Sequence, residues 1–261
     1  MLLNAVCEIT FKGDAPTPLI LMLRPRSGAA QWVAHEEYRL NPATRVTEYT
    51  DSFGNLCQRL VAPAGRFVIY TSAQVRTTAT VDVHPGAPFT PAQELPEQTL
   101  PFLLPSRYCQ SDQLGEQAHT IVADAQPGYD QVAAISDWIH WEITYQYGTS
   151  SASTSAVETF AQRVGVCRDF AHLGMAFCRS LNIPARMVVG YLHRLDPMDQ
   201  HAWFEAFVGG RWYTFDPTQA EPRGGRIAIA YGRDAADVAL ATQFGPARLT
   251  ALEVQVEEVS G

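Results

Sequence analysis

The sequence has no C-x-x-C pair, no excess of basic residues and no apolar run near the ~18 residues that a membrane span needs. Each absence closes a class of function. Five scattered cysteines (Cys7, Cys57, Cys109, Cys167, Cys178) fit neither a disulfide framework nor a zinc site. Reduced thiols in a cytoplasm are the simpler expectation. A net charge of −8 offers no basic face to nucleic acid or to an anionic membrane. The stretch Met1 to Glu8 lacks a basic n-region and meets a charge early, so it reads as a strand and not as a signal peptide.

What is present is ordinary for a folded protein: 46% apolar and 18% charged over 261 residues, enough for one large domain or two modest ones. Runs rich in Leu, Val, Ile, Thr, Phe and Tyr occupy 2–12, 17–24, 44–50, 55–62, 66–73 and 76–84, with turn residues between them. They predict an antiparallel β-sandwich or barrel-like domain over 1–90. Five prolines in 85–101 mark a linker, and residues 91–111 read as a junction segment. The remainder, 112–261, reads as a second domain. Asp112 can cap a helix over 113–124. A stronger helix over 129–145 carries Val132, Ile135, Trp138, Ile139 and Ile143 at helical spacing. Ser155 and Glu158 have capping-box spacing and open a short helix to Arg163.

Chemistry concentrates after Gly165. Cys167 begins a helix that runs to Asn182 and stops before Pro184. Unpaired N–H groups and the helix dipole favour a thiolate there, and the Cys167 amide can serve an oxyanion. Cys178 lies ~16 Å further along the axis and reads as core, as does Cys109. His172 sits about 140° around the helix from Cys167, a poor place for its base. The strands Ala185 to Leu192, His201 to Val208 and Arg211 to Asp216 follow, the last two joined by Gly209-Gly210, a two-residue hairpin signal. Pairing Val208 with Arg211 puts Trp203 opposite Asp216. His201 then becomes the diagonal neighbour of Asp216 on the same face, ~7–8 Å away. A thiol, an imidazole and a carboxylate so placed suggest a nucleophilic cysteine site, with Asp216 orienting His201. Trp138, Trp141 and Tyr145 decorate the preceding helix; they are either core aromatics or hydrogen-bond donors to an oxyanion. His193 and His201 lack a third metal ligand, so no metal and no cofactor is expected.

Three blocks carry a resemblance to the transglutaminase-like superfamily of papain-like thiol enzymes. They are Gly165-Val166-Cys167-Arg168-Asp169-Phe170-Ala171-His172, His201-Ala202-Trp203-Phe204-Glu205 and Trp212-Tyr213-Thr214-Phe215-Asp216-Pro217-Thr218. Asn182 to Arg186, Gly190-Tyr191 and Leu103 to Tyr108 fit the same pattern, and the first eighty or so residues resemble the β-rich N-terminal region of bacterial members. The resemblance implies an α+β core with the nucleophile's helix packed on an antiparallel sheet. It also implies Cys167 as nucleophile, His201 as general base and acid, and Asp216 as orienter. Members crosslink proteins, hydrolyse amides or have lost catalysis, and bacterial members of this layout are usually described as cysteine proteases. Gly232 to Val238 also resembles a family block, with no mechanism evident; Asp234 there can equally cap a short helix. The expectation is amide chemistry through a Cys167 thioester on a peptide or protein substrate, with water as the favoured acceptor. Transfer to an amine and a non-catalytic binding module remain open, as do the substrate, the oligomeric state and the role of the N-terminal domain.

Overall fold

The computed structural model describes residues 1–28 and 30–259. The first part of the chain forms β1 (Leu2–Gly13), β2 (Thr17–Leu21), β3 (Gln31–Asn41), β4 (Val46–Thr50), β5 (Leu56–Ala62) and β6 (Gly65–Thr77). Period-two alternation along β1 buries Leu3, Ala5, Cys7 and Ile9 while Asn4, Val6 and Glu8 stay partly exposed. β3 has no counterpart among the expected strands. It is the edge of its sheet, and its exposed His35 and Arg39 and half-exposed Glu36 and Glu37 hide any apolar alternation. The strand expected over 66–73 runs on without a break to Thr77 as β6, and 78–84, also expected as strand, is irregular.

The second part contains α1 (Gly115–Ile121), α2 (Tyr129–Glu142), β7 (Thr144–Tyr145), α3 (Ala156–Gln162), β8 (Val164–Gly165) and α4 (Cys167–Ser180). Then come β9 (Ala185–Leu192), β10 (His201–Val208), β11 (Arg211–Phe215), β12 (Arg226–Gly232), β13 (Ala241–Gln243) and β14 (Arg248–Glu258). Asp112 lies in a separate 3-10 turn, and α1 starts at Gly115 without a side-chain cap. α2 stops at Glu142 because Thr144 and Tyr145 pair in parallel with Val164 and Gly165.

Among the described residues, three four-stranded antiparallel sheets result, ordered β14-β1-β6-β3, β13-β2-β5-β4 and β11-β10-β9-β12. The chain's end therefore returns to its beginning. β14 pairs with β1 and β13 with β2, so these strands lie in the sheets of the N-terminal unit and not with the rest of 112–261. The junction segment is a strap. Its Phe102 ring lies 5.8 Å from Phe53 and 5.5 Å from Trp212, bridging a hairpin loop of the first unit to β11.

α4 packs on β9 and β10 and is buried on nearly every side, with Phe170, Leu173, Met175 and Phe177 all within 2% of complete burial. Each such side chain contributes roughly 1.5–3 kcal/mol by leaving water. Gly174 permits the close approach, since a Cβ there would stand 2.5 Å from the Phe204 ring on β10. β12 is the outer strand of this sheet, and two side chains from the first unit satisfy its exposed backbone. Gln31 bonds the N–H and the carbonyl of Ala228, and Asn55 does the same at Tyr231, all at 2.7–2.8 Å.

Candidate active site

Cys167 is the first residue of α4. The turn before it closes because Asp169 reaches back to accept the Val166 N–H at 2.9 Å, while a Cβ on Gly165 would stand 2.8 Å from the Asp169 Cβ. Asp169 is fully buried and also accepts from Ser150 Oγ at 2.9 Å. Arg168 donates to that hydroxyl and to the Ser151 carbonyl, so the polar loop 147–155 is tied down beside α4. Cys167 itself is half-buried; Cys7, Cys57, Cys109 and Cys178 are buried, and all five are free thiols.

The hairpin between β10 and β11 has the register expected from Gly209-Gly210. Val208 pairs with Arg211 and Phe204 with Phe215, and the two glycines adopt φ of 56° and 80°. His201 and Asp216 therefore meet, Nε2 to Oδ2 at 2.7 Å, with side chains only 2% and 4% exposed. Burial alone would push the imidazole down, but the Asp216 carboxylate bonded to it and the Cys167 sulfur beside it raise His201 to about 9. Burial would likewise raise the Asp216 carboxyl. The charges of His201 and Arg226, with hydrogen bonds from His201 and Thr218, hold it well below the usual carboxylate range instead. Cys167 and His201 open onto one cavity of about 230 Å³, walled by Met187, Val189, Ala202, Val238 and Leu240.

The three aromatic candidates separate. Trp138 stacks on Phe160 at 5.9 Å and meets Phe177 edge-on at 5.6 Å, so it is a packing residue away from the thiol. Trp141 is 81% exposed, which removes it as a buried donor. Tyr145 is held by the β7–β8 pairing opposite Gly165, with its hydroxyl turned to the Cys167 main-chain N–H. Burial, then the Cys167 charge, raise that phenol well above its ordinary value and keep it a neutral donor.

The 232–238 block gains a place. Ala235 and Val238 line the cavity. The Ala235 N–H donates to Nε2 of His172 at 3.1 Å, and the His172 ring stacks on Tyr108 at 5.1 Å. Burial pushes His172 down to about 3, so its ring is neutral and accepts that bond. Asp234 caps no helix. It accepts the N–H groups of Ala236 and Tyr108, both at 2.9 Å, and ties this wall to the strap. Thr218, which closes the third sequence block, and Arg226, which belongs to none, both meet Asp216. Thr218 donates to Asp216 Oδ1 through its hydroxyl at 2.7 Å, and Arg226 Nη2 lies 2.8 Å from Asp216 Oδ2. Arg226 opens the apolar run Ile227 to Tyr231, and a charge at the head of a buried strand was the signal available for it. Among the described residues no group of three or more His, Cys, Asp or Glu side chains converges as a metal site requires.

Comparison with known proteins agrees with this architecture. Residues 115–217 match the transglutaminase-like superfamily model, and residues 16–76 match the bacterial transglutaminase-like N-terminal region. A crystal structure described as a "Putative Cysteine Protease" from Cytophaga hutchinsonii is 37% identical, with a TM-score of 0.93 over 100% of this chain and 91% of that one. An uncharacterized protein of Mycobacterium leprae is 30% identical over 90% of this chain and 89% of its own length. An uncharacterized protein of Mycobacterium tuberculosis is 28% identical over 83% and 77%. With its core, its N-terminal region and its full-length fold all matched, the chain belongs to the transglutaminase-like superfamily.

Proposed function

We propose that the protein is a thiol-dependent amide hydrolase acting on peptide or protein substrates through an acyl-Cys167 thioester. One observation carries the reading: Cys167 and His201 share a cavity, while the far nitrogen of the same imidazole is fixed on buried Asp216. His201 takes the proton of the Cys167 thiol as the reaction begins. The sulfur attacks the substrate carbonyl carbon, and the π electrons move to oxygen. In this reading the Cys167 N–H and the Tyr145 hydroxyl donate to that oxygen. Collapse breaks the C–N bond, and the amine leaves with the proton from His201. Neutral His201 then takes a proton from water, the hydroxide attacks the thioester, and the carboxylic acid departs as the thiolate and imidazolium re-form.

The preference for water as acceptor draws support from the full-length relative described as a cysteine protease. Five free thiols suit a reducing compartment, and the cytoplasm is the proposed location. No helix of the described residues is long and apolar enough to cross a membrane. Incubation with a mixed peptide library and a labelled primary amine tests the reading by mass spectrometry. New free acids lost in Cys167→Ala are the expected result. Amine-labelled products without free acids would make the protein a transferase, and no Cys167-dependent product at all would leave a binding module.

A further inference from the structure

Asp216 serves two cations through one oxygen. Its Oδ2 accepts from His201 Nε2 at 2.7 Å and pairs with Arg226 Nη2 at 2.8 Å, while Oδ1 accepts from the Thr218 hydroxyl and N–H. Arg226 arrives from β12, on the far side of β9 from His201, and only 8% of it is exposed. Its Nε donates to the Arg223 carbonyl at 2.9 Å, its Cζ stands 4.9 Å from the Trp203 ring centroid, and its Nη1 has no acceptor. Among the described residues, Asp216 is the carboxylate paired with this guanidinium.

The other charged groups nearby are held elsewhere or lie further off. From α4, Cys167 faces His201 and Arg168 stands at the cavity rim. On α2, His140 Nδ1 lies 2.9 Å from the Pro217 carbonyl, and Asp130 and Asp137 line a cavity that also reaches Asp216, with Glu221 and Arg223. On β10, Glu205 is bound to Arg186 of β9. Tyr145 faces Cys167 and not the carboxylate.

We infer that Arg226 is a positioning residue of the triad: by sharing Oδ2 with His201 it fixes the carboxylate and limits how tightly Asp216 holds the imidazolium. The inference rests on His201 being the acid and base of the proposed reaction. The physical reason is competition. Two cations on one oxygen repel each other and divide its charge, so neither is held as strongly as it would be alone. A weaker hold on the imidazolium leaves His201 a better proton donor to a leaving amine. Charge, and not merely a hydrogen bond, is what Arg226 supplies.

The test is an NMR titration of the His201 ring in the full chain, for wild type, Arg226→Gln, Arg226→Met and Arg226→Lys, with thermal melts to show folding. The glutamine variant keeps a donor without charge, and the methionine variant can lie on Trp203, so either one that folds decides the matter. The neutral variants are expected to move the His201 midpoint up by about one pH unit. Arg226→Lys, which keeps the charge, is expected to stay near wild type. An unchanged or lowered midpoint in a folded neutral variant overturns the inference, as does an equal rise in Arg226→Lys. If turnover survives Cys167→Ala while the midpoint still rises, the thiol mechanism fails and the role of Arg226 stands.

Discussion

His201 and Asp216 lie fifteen positions apart in the chain, yet Nε2 and Oδ2 meet at 2.7 Å across a two-residue hairpin, both out of water. That bond leaves the Nδ1 edge of the ring for Cys167. Asp216→Asn keeps the shape and loses the charge. Its kcat is expected to fall by roughly 10²- to 10⁴-fold with a smaller change in KM. Asp216→Ala also strands Arg226 and His201 as buried cations and is expected to lose about 3–5 kcal/mol of stability. Steady-state kinetics and denaturant melts separate the two effects.

The same pair sets a pH dependence. The folded His201 value is raised from 6.5 to about 9, so the ion pair's contribution is complete below about 6.5 and is lost as pH rises through 9. The melting temperature is expected to fall between pH 7 and pH 10, more steeply in wild type than in Asp216→Asn. Peptide turnover should lose its proton donor over the same interval, giving an alkaline limb near 9. A flat melting curve across that range would remove the ion pair from the mechanism.

Tyr145 and Trp138 offer a contrast within one stretch of chain. Tyr145→Phe removes a single hydroxyl beside the Cys167 amide and is expected to cut kcat by about 10²- to 10³-fold with little change in stability. Trp138→Ala empties a site between Phe160 and Phe177 and is expected to cost about 3–5 kcal/mol. Trp141→Ala should change neither, its ring being in solvent. Kinetics and melts on the three variants check all of this.

The hairpin that carries His201 and Asp216 was legible because local rules determine it. Two glycines specify the turn, the turn specifies the register, and the register puts His201 and Asp216 on one face. Long-range partners were not legible in this way. β14 alternates as an edge strand should, but no residue in it says that its partner is β1. β3 was missed because an exposed edge strand needs no apolar alternation. Arg226 offered only the signal of a charge heading a buried strand: its meaning depends on β12 lying beside β9, a pairing set by burial of Ile227 to Ala230 and not by any motif. Trp138 is left open by the sequence for another reason. An indole at the right spacing can serve chemistry or packing, and only Phe160 and Phe177 decide between them.

His172 is expected to govern acid stability. Its ring is held neutral by burial, with a folded value near 3 against 6.5 when unfolded. The unfolded chain therefore binds the extra proton, and stability is lost as pH falls from about 6.5 toward 3. His201 is protonated in both states at the low end of that range and does not add to the slope there. His172→Gln keeps an acceptor for the Ala235 N–H and should flatten the decline. Denaturant midpoints at pH 4, 5 and 6, compared between the two proteins, measure it.

The most direct test is the site and rate of alkylation by iodoacetamide at neutral pH, read by peptide mapping. Burial raises Cys57, takes Cys7 to about 11 and Cys109 to about 12, and raises Cys178 as well, so none of these four should compete. Cys167 stands at a helix start beside the His201–Asp216 pair. The expected result is modification at Cys167 alone, slowed at least about tenfold in His201→Ala. Labelling of Cys57 as fast as Cys167, with His201→Ala unchanged, would contradict the thiol–imidazole site.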